Sequence, residues 1–198
     1  MSFRIPLAKP EITASDCAEV LKVLRTSQLS TGPKVSEFEN SICSYLNSPF
    51  AVAVNSGTSA LHMAVKILNL PAGAEVILPS FTFIAPLNVL LQERLIPVFV
   101  DLAPTGFNVA PESVEAAITS RTKAIIVVHT FGHPVQVDLT RDIASRRGIP
   151  LIEDACEAIG AEISGQKAGS FGDAGALAFY PNKQITTGEG GMLLLRDR

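Results

Sequence analysis

Lys183 stands in FYPNKQITTGEGG, residues 179–191, between an apolar strand-like run and a glycine-rich turn. A lysine held against an apolar wall loses part of its preference for the charged form and becomes a nucleophilic amine, able to form an imine with an aldehyde. A lysine after a strand is more often a solvated surface residue, so the chemistry depends on what else the chain brings to it. Thr186 to Gly191 follow at once. Their glycines permit positive φ and close packing against a ligand or a second subunit, or simply a tight turn into the last strand.

Three upstream stretches supply complementary groups. In Val54-Asn55-Ser56-Gly57-Thr58-Ser59-Ala60-Leu61 a strand ends in small polar residues and a helix begins. Free N–H groups and the positive dipole end of such a helix suit a phosphate, and Gly57 would let the anion approach the backbone. Ser56 or Thr58 reads equally well as an ordinary helix cap. Leu151-Ile152-Glu153-Asp154-Ala155-Cys156 puts acids at the end of a buried strand. Asp154 there is costly to desolvate without a cation, which a protonated pyridine would supply; the other reading is a capping or structurally paired acid. Pro79-Ser80-Phe81-Thr82-Phe83 offers an aromatic ring to stack on a planar group, although either phenylalanine could fill the core. Asp101, followed by Leu102-Ala103-Pro104, reads as a turn-former. His129 and His133 lack a spacing with acids or cysteines that suggests a metal, and they read as a structural or site-floor residue and a loop residue.

The elements that must position these groups alternate. After an extended arm over 1–13, Thr13 caps a helix with Val20, Leu21, Val23 and Leu24 on one side, and a second helix covers 33–47. Strand-like runs then fall at 51–54, 75–78, 96–101, 124–129, 150–153, 175–179 and 191–195, with helices at 59–70, 85–93, 112–118 and 138–147. This βα succession predicts an α/β fold, three layers with a mainly parallel seven-stranded sheet, whose ligand site lies at the carboxyl ends of the strands. The last two runs leave no room for a crossover helix, so the final strand is expected to be antiparallel. Residues 1–48 form the arm and helices, and 49–198 the ligand-binding domain.

Composition narrows the function. The 198 residues are 47% hydrophobic, carry a net charge of −3 and show no apolar run long enough to span a bilayer. With acids and bases interspersed, no basic face for nucleic acid or membrane is visible. Cys17, Cys43 and Cys156 are far apart and odd in number, which speaks against a disulfide framework, and the N-terminus lacks the apolar core of a secretory signal, so the cytoplasm is the expected location. No GxGxxG or GxxxxGK[ST] follows a strand, which disfavours a plain nucleotide-binding domain.

A phosphate cradle, an aromatic platform, a buried aspartate and an imine-forming lysine are together the requirements of pyridoxal 5′-phosphate. In order and spacing, NSGTSAL, VILPSFTF, PVFVD, IEDACEAIGA and FYPNKQITTGEGG, with TGPKVSEFE at 31–39, resemble the DegT/DnrJ/EryC1/StrS family of sugar aminotransferases, which have the fold type I architecture. The resemblance runs over essentially the whole chain. It implies that Lys183 carries the cofactor imine and moves the proton, that Asp154 pairs with the pyridinium nitrogen, that Phe83 stacks on the ring and that the amides of Gly57 and Thr58 hold the phosphate. Glu157 falls where many members have Gln or His near the ring or the sugar, and a solvated glutamate is the other reading. Ala178 departs from relatives that place a serine five residues before the lysine.

The implied reaction moves an amino group, usually from glutamate as donor, to a keto carbon of a nucleotide-linked deoxysugar, and the retained lysine argues against the family's dehydratase branch, which has histidine there. Family members run to about twice this length and are expected to work as homodimers. The C-terminal small domain of the family is therefore expected to be absent from this chain, and the other reading is a truncated or non-catalytic member that binds the cofactor or a sugar nucleotide, or regulates.

Overall fold

Short β-branched runs alternating with amphipathic helices give a mixed sheet covered on both faces. The computed structural model describes residues 5–6, 8–134 and 136–197; most of the expected arm falls within them, and residues 1–4 and 7 lie outside. The helices are α1 (Ala14–Leu24), α2 (Pro33–Leu46), α3 (Gly57–Ile67), α4 (Ala85–Gln92), α5 (Pro111–Ala117) and α6 (Val137–Arg147). The strands of the main sheet are β1 (Phe50–Val54), β2 (Glu75–Pro79), β3 (Ile96–Val100), β4 (Thr122–Val128), β5 (Leu151–Asp154), β8 (Ala174–Ala178) and β9 (Gly191–Leu195). Between β5 and β8, β6 (Glu162–Ile163) and β7 (Gln166–Lys167) form a separate hairpin.

The main sheet runs in the order β1-β9-β8-β5-β4-β2-β3. The pairs β3–β2, β2–β4, β4–β5 and β5–β8 are parallel, while β9 is antiparallel to both β8 and β1. The expected antiparallel last strand is therefore present, for the reason the short link gave: only an antiparallel return fits so few residues. The α/β class and the seven-stranded, mainly parallel sheet match the reading of the sequence, with strand ends displaced by a residue or two.

Side-chain alternation along the strands builds the layers. On one face Val76, Leu78, Ala124, Ile126 and Ile152 pack with Ala60, Leu61, Ala64 and Val65 of α3 and Val89 and Leu90 of α4. On the other, Ile77, Ile125, Val127 and Leu151 pack with Val114 of α5 and Val137 and Ala144 of α6. Helix α2 extends that second layer by placing Phe38, Ile42 and Leu46 on Leu177, Phe179, Met192 and Leu194. The rings of Phe38 and Phe179 lie 5.0 Å apart at 58°.

Two features go beyond the sequence reading. Helix α1 forms as expected, with a complete capping box between Thr13 and Asp16, but it buries no residue, and Val20, Leu21 and Leu24 stay exposed among the described residues. The β6–β7 hairpin was not anticipated. Its two-residue turn, Ser164-Gly165, has positive φ at both positions, the geometry that suits a tight hairpin, so a Ser-Gly pair between two short polar runs was the available signal.

The packing of α2 makes a direct prediction. Leu46 is 2% exposed, and Leu46→Ala is expected to cost roughly 2–5 kcal/mol in urea unfolding, within a single transition shared by helix and sheet. A loss below about 1 kcal/mol would show that α2 is not part of the sheet's cooperative unit.

Candidate active site

A cavity of about 590 Å³ opens where the parallel strands end and α3 begins. Each wall comes from a different strand end. The segment after β2 contributes Phe81, Thr82 and Phe83; β4 and its following residues contribute Val128, His129 and Thr130. Asp154 closes β5, Ala178 closes β8, and Lys183 follows on the turn before β9. All six residues singled out for the site, Gly57, Thr58, Phe83, Asp154, Glu157 and Lys183, line this one cavity.

The start of α3 is fixed by capping and by close packing. The Ser56 hydroxyl accepts the N–H of Ser59 at 3.1 Å, so the capping alternative holds for Ser56. Gly57 and Thr58 sit in the first turn, where backbone N–H groups have no partner within the helix. Gly57 owes its identity to packing: a Cβ there would lie 2.7 Å from the Cβ of Ala178 and 2.7 Å from Sγ of Cys156. Similarly, a Cβ on Gly191 would meet the Ser56 carbonyl at 2.4 Å. The glycine-rich turn after Lys183 thus packs against the start of α3 within the same chain.

Asp154 is 6% exposed, and its Oδ1 accepts the N–H of Cys156 at 3.1 Å. Burial pushes its carboxyl above the usual carboxylate range, opposed by hydrogen bonding from Cys156 and, more weakly, by the nearby His129 and Lys183 side chains. Burial, together with the Asp154 charge, also raises the Cys156 thiol well above its ordinary value, which makes it a packing residue and not a thiolate nucleophile.

The Lys183 amine, largely buried, reaches Oε1 of Glu157 at 3.1 Å, and Oε2 of Glu157 accepts the N–H of Phe131 at 3.2 Å. Sequence reading placed Glu157 near the ring or the sugar; the structure puts it on the lysine amine. Phe83 is 74% exposed at the mouth, so the core-filling alternative does not hold for it. Phe81 and Phe131, which also line the cavity, pack with Phe107 into an aromatic group beside it. His129 is buried and lies 2.8 Å from Glu153, a pairing that sequence reasoning missed.

The walls fit a phosphate-bearing aromatic aldehyde. One end offers backbone donors, the interior an acid that favours a cationic partner, and the far side a primary amine. In addition, the hydroxyls of Thr82 and Thr130, both lining residues, are buried and have no hydrogen-bond partner among the described residues. Buried donors of that kind are costly unless something meets them, as a polar ligand would. Among the described residues, no helix is long and apolar enough to cross a membrane.

Comparison with known proteins places the geometry in context. The model of the DegT/DnrJ/EryC1/StrS aminotransferase family matches residues 10–198. A GDP-perosamine synthase of Caulobacter vibrioides is 41% identical over 195 residues, which cover 98% of this chain and 53% of the relative. Among solved structures, an aminotransferase TlmJ from Streptoalloteichus hindustanus superposes with a TM-score of 0.94 at 31% identity, covering 98% of this chain and 53% of that one. A GDP-4-keto-6-deoxy-D-mannose-3-dehydratase from E. coli with bound hydrated PLP gives a TM-score of 0.93 at 31% identity, covering 97% of this chain and 51% of that one. The chain thus spans about half the length of the curated relatives it matches.

Two measurements check the site's packing and charge. Gly57→Ala is expected to lose about 1–3 kcal/mol of stability, because the Cβ of Ala178 cannot withdraw without moving β8 and Sγ of Cys156 would have to leave its rotamer. Because the folded protein holds the Asp154 proton more tightly than the unfolded chain, this group favours folding at low pH, and that contribution falls as pH rises through its raised folded value. Ligand-free Asp154→Asn should therefore be more stable than the parent in urea at neutral pH, with the gap closing toward acid. A gap that widens toward acid would contradict the assigned direction.

Proposed function

The chain belongs to the DegT/DnrJ/EryC1/StrS aminotransferase family, and on that premise we propose that it is the cofactor-binding half of a pyridoxal phosphate-dependent sugar aminotransferase that acts on a nucleotide-linked deoxysugar. The observation that carries this reading is one cavity shared by the Lys183 amine, the Asp154 carboxylate and the first amides of α3. Glutamate as the amino donor, a homodimer as the complete form and a cytoplasmic location belong to the same proposal.

When bound, pyridoxal phosphate supplies an aldehyde that condenses with amines and a ring that takes up the electron pair released when a proton leaves carbon. The chain's residues do the rest. The N–H groups of Gly57 and Thr58 hold the phosphate at the positive end of α3. Asp154, dry and short of a counter-charge, would hold the ring nitrogen and favour its protonated form. Phe83, exposed at the cavity mouth, would stack on the ring and lose exposed surface on doing so.

Lys183 serves first as nucleophile and then as proton carrier at Nζ. An ammonium cannot attack a carbonyl, and Oε1 of Glu157, 3.1 Å away, is the carboxylate in position to take its proton. The bond from Phe131 N–H to the other oxygen of Glu157 keeps that carboxylate facing the amine. As a free amine, Nζ would be placed to accept the substrate proton and to return it. Leu61, Val128, Ala85 and Ala178 exclude water from the walls where that transfer occurs.

A binding role without turnover is the second reading, favoured by the open side of the cavity, where Phe83 and Phe131 are 74% and 67% exposed. One experiment separates the two. The purified chain is mixed with pyridoxal phosphate, reduced with borohydride and digested for mass spectrometry. A covalent adduct is expected on Lys183, and the visible absorbance that precedes reduction is expected to be absent in Lys183→Ala. A folded sample with no adduct at Lys183 would refute the cofactor assignment. Added glutamate is expected to bleach the absorbance if the chain transaminates, and an unchanged band with every amino donor supports binding alone.

A further inference from the structure

Glu153 sits beside Asp154 on β5 and points to the opposite face, where it is 0% exposed. Its carboxyl group meets three backbone N–H donors and one imidazole nitrogen. Oε1 accepts the N–H groups of Phe171 and Gly172 at 2.6 Å each, and Oε2 accepts the N–H of Gly169 at 2.8 Å and lies 2.8 Å from Nε2 of His129. Three of these are backbone amides, which donate and cannot accept. Three fixed N–H donors shared over both oxygens suit a carboxylate, and a carboxylate oxygen that faces Nε2 can only accept from it. Nε2 of His129 must then carry a hydrogen.

His129 is 2% exposed and stands just past the end of β4. It lines the cavity, and its backbone N–H donates to the Asp154 carbonyl at 3.0 Å. His129 thus has its Nε2 edge on a buried carboxyl group and belongs to the same cavity lining as Asp154. Nothing in the mechanism above uses either residue.

We propose that Glu153 and His129 are a positioning pair for the cofactor cavity, in which the carboxylate holds the imidazole in one tautomer, with hydrogen on Nε2, and in one orientation beside Asp154. A ring so held is a wall of set shape that keeps Asp154 dry and in place. A ring free to turn would admit water to the same carboxylate. The role deepens the cofactor reading and rests on it, but the tautomer is a property of the protein alone.

Nitrogen-15 NMR of the histidine-labelled chain reads that tautomer directly. The sequence holds three histidines, His62, His129 and His133, and the signal lost in His129→Gln identifies the ring. The expected result is hydrogen on Nε2 in the parent and a shift to the Nδ1–H form in Glu153→Gln, whose amide would present a donor to Nε2. A parent ring with Nδ1–H only, or a folded Glu153→Gln with an unchanged ring, would overturn the pair. If Glu153→Gln does not fold, His129→Gln decides, because a glutamine amide can still donate to Glu153 as Nε2 does. A merely structural histidine would then bind pyridoxal phosphate as before. A positioning ring predicts an affinity loss on the order of tenfold at unchanged thermal midpoint, the scale seen when an outer partner of a binding group is removed. Unchanged affinity would overturn the proposal. Borohydride trapping at Lys183 in the parent chain tests the cofactor reading separately, so a failed pair leaves that result standing; a parent that binds no cofactor overturns both.

Discussion

The first turn of α3 is pressed onto the ends of β8 and β9 with no space for one more carbon, and the site depends on that contact. Gly57 meets Ala178 and Cys156, and Gly191 meets the backbone of Ser56. These approaches fix the positive end of a helix relative to Asp154 at the end of β5 and Lys183 on the turn before β9. A phosphate, a ring nitrogen and an aldehyde lie at set distances within one small molecule, so a protein that binds all three must hold its own three groups as rigidly. Sheet order supplies the rigidity, since β5 and β8 are neighbours and β9 closes on β8.

The second constraint is electrostatic. Asp154 has been taken out of water with a backbone hydrogen bond from Cys156 and, among the described residues, no direct ion pair, and burial raises its proton affinity. Glu153, the next residue back, is more deeply buried but met by three backbone N–H donors and the His129 imidazole. Two adjacent acids on one strand thus have opposite fates because they face opposite sides of the sheet. The satisfied one ties β5 to the loop before β8, and the unsatisfied one faces the cavity, where a protonated ring would complete it. Folding stability is given up at Asp154 and would return with the ligand, as expected for a binding site.

Much of this was legible in the sequence. The seven strands, their mainly parallel order and the antiparallel return of β9 followed from period, spacing and the length of the last link. Lys183, Asp154, Gly57, Thr58 and Phe83 line one cavity, and they were open to sequence reading because each ends or follows a strand or opens a helix, where ligand sites of open α/β sheets collect. Pairings across strands were not legible. Lys183 with Glu157 and His129 with Glu153 join residues more than twenty apart in sequence, and their meeting depends on strand order and on how a loop folds back. The reason for Gly57 was also hidden, since its neighbours Ala178 and Cys156 come from distant segments. For α1 the apolar side was read correctly as a helix face, but periodicity gives no information on whether a partner for that face lies in the same chain.

A crystal structure of the chain soaked with pyridoxal phosphate tests the central claim most directly, because it locates all three anchors at once. The account predicts the phosphate at the N–H groups of Gly57 and Thr58, the ring nitrogen within hydrogen-bond distance of Asp154, and continuous density from the former aldehyde carbon to Nζ of Lys183. Cofactor bound elsewhere, or bound in this cavity with its ring nitrogen turned away from Asp154 and no link to Lys183, would contradict it.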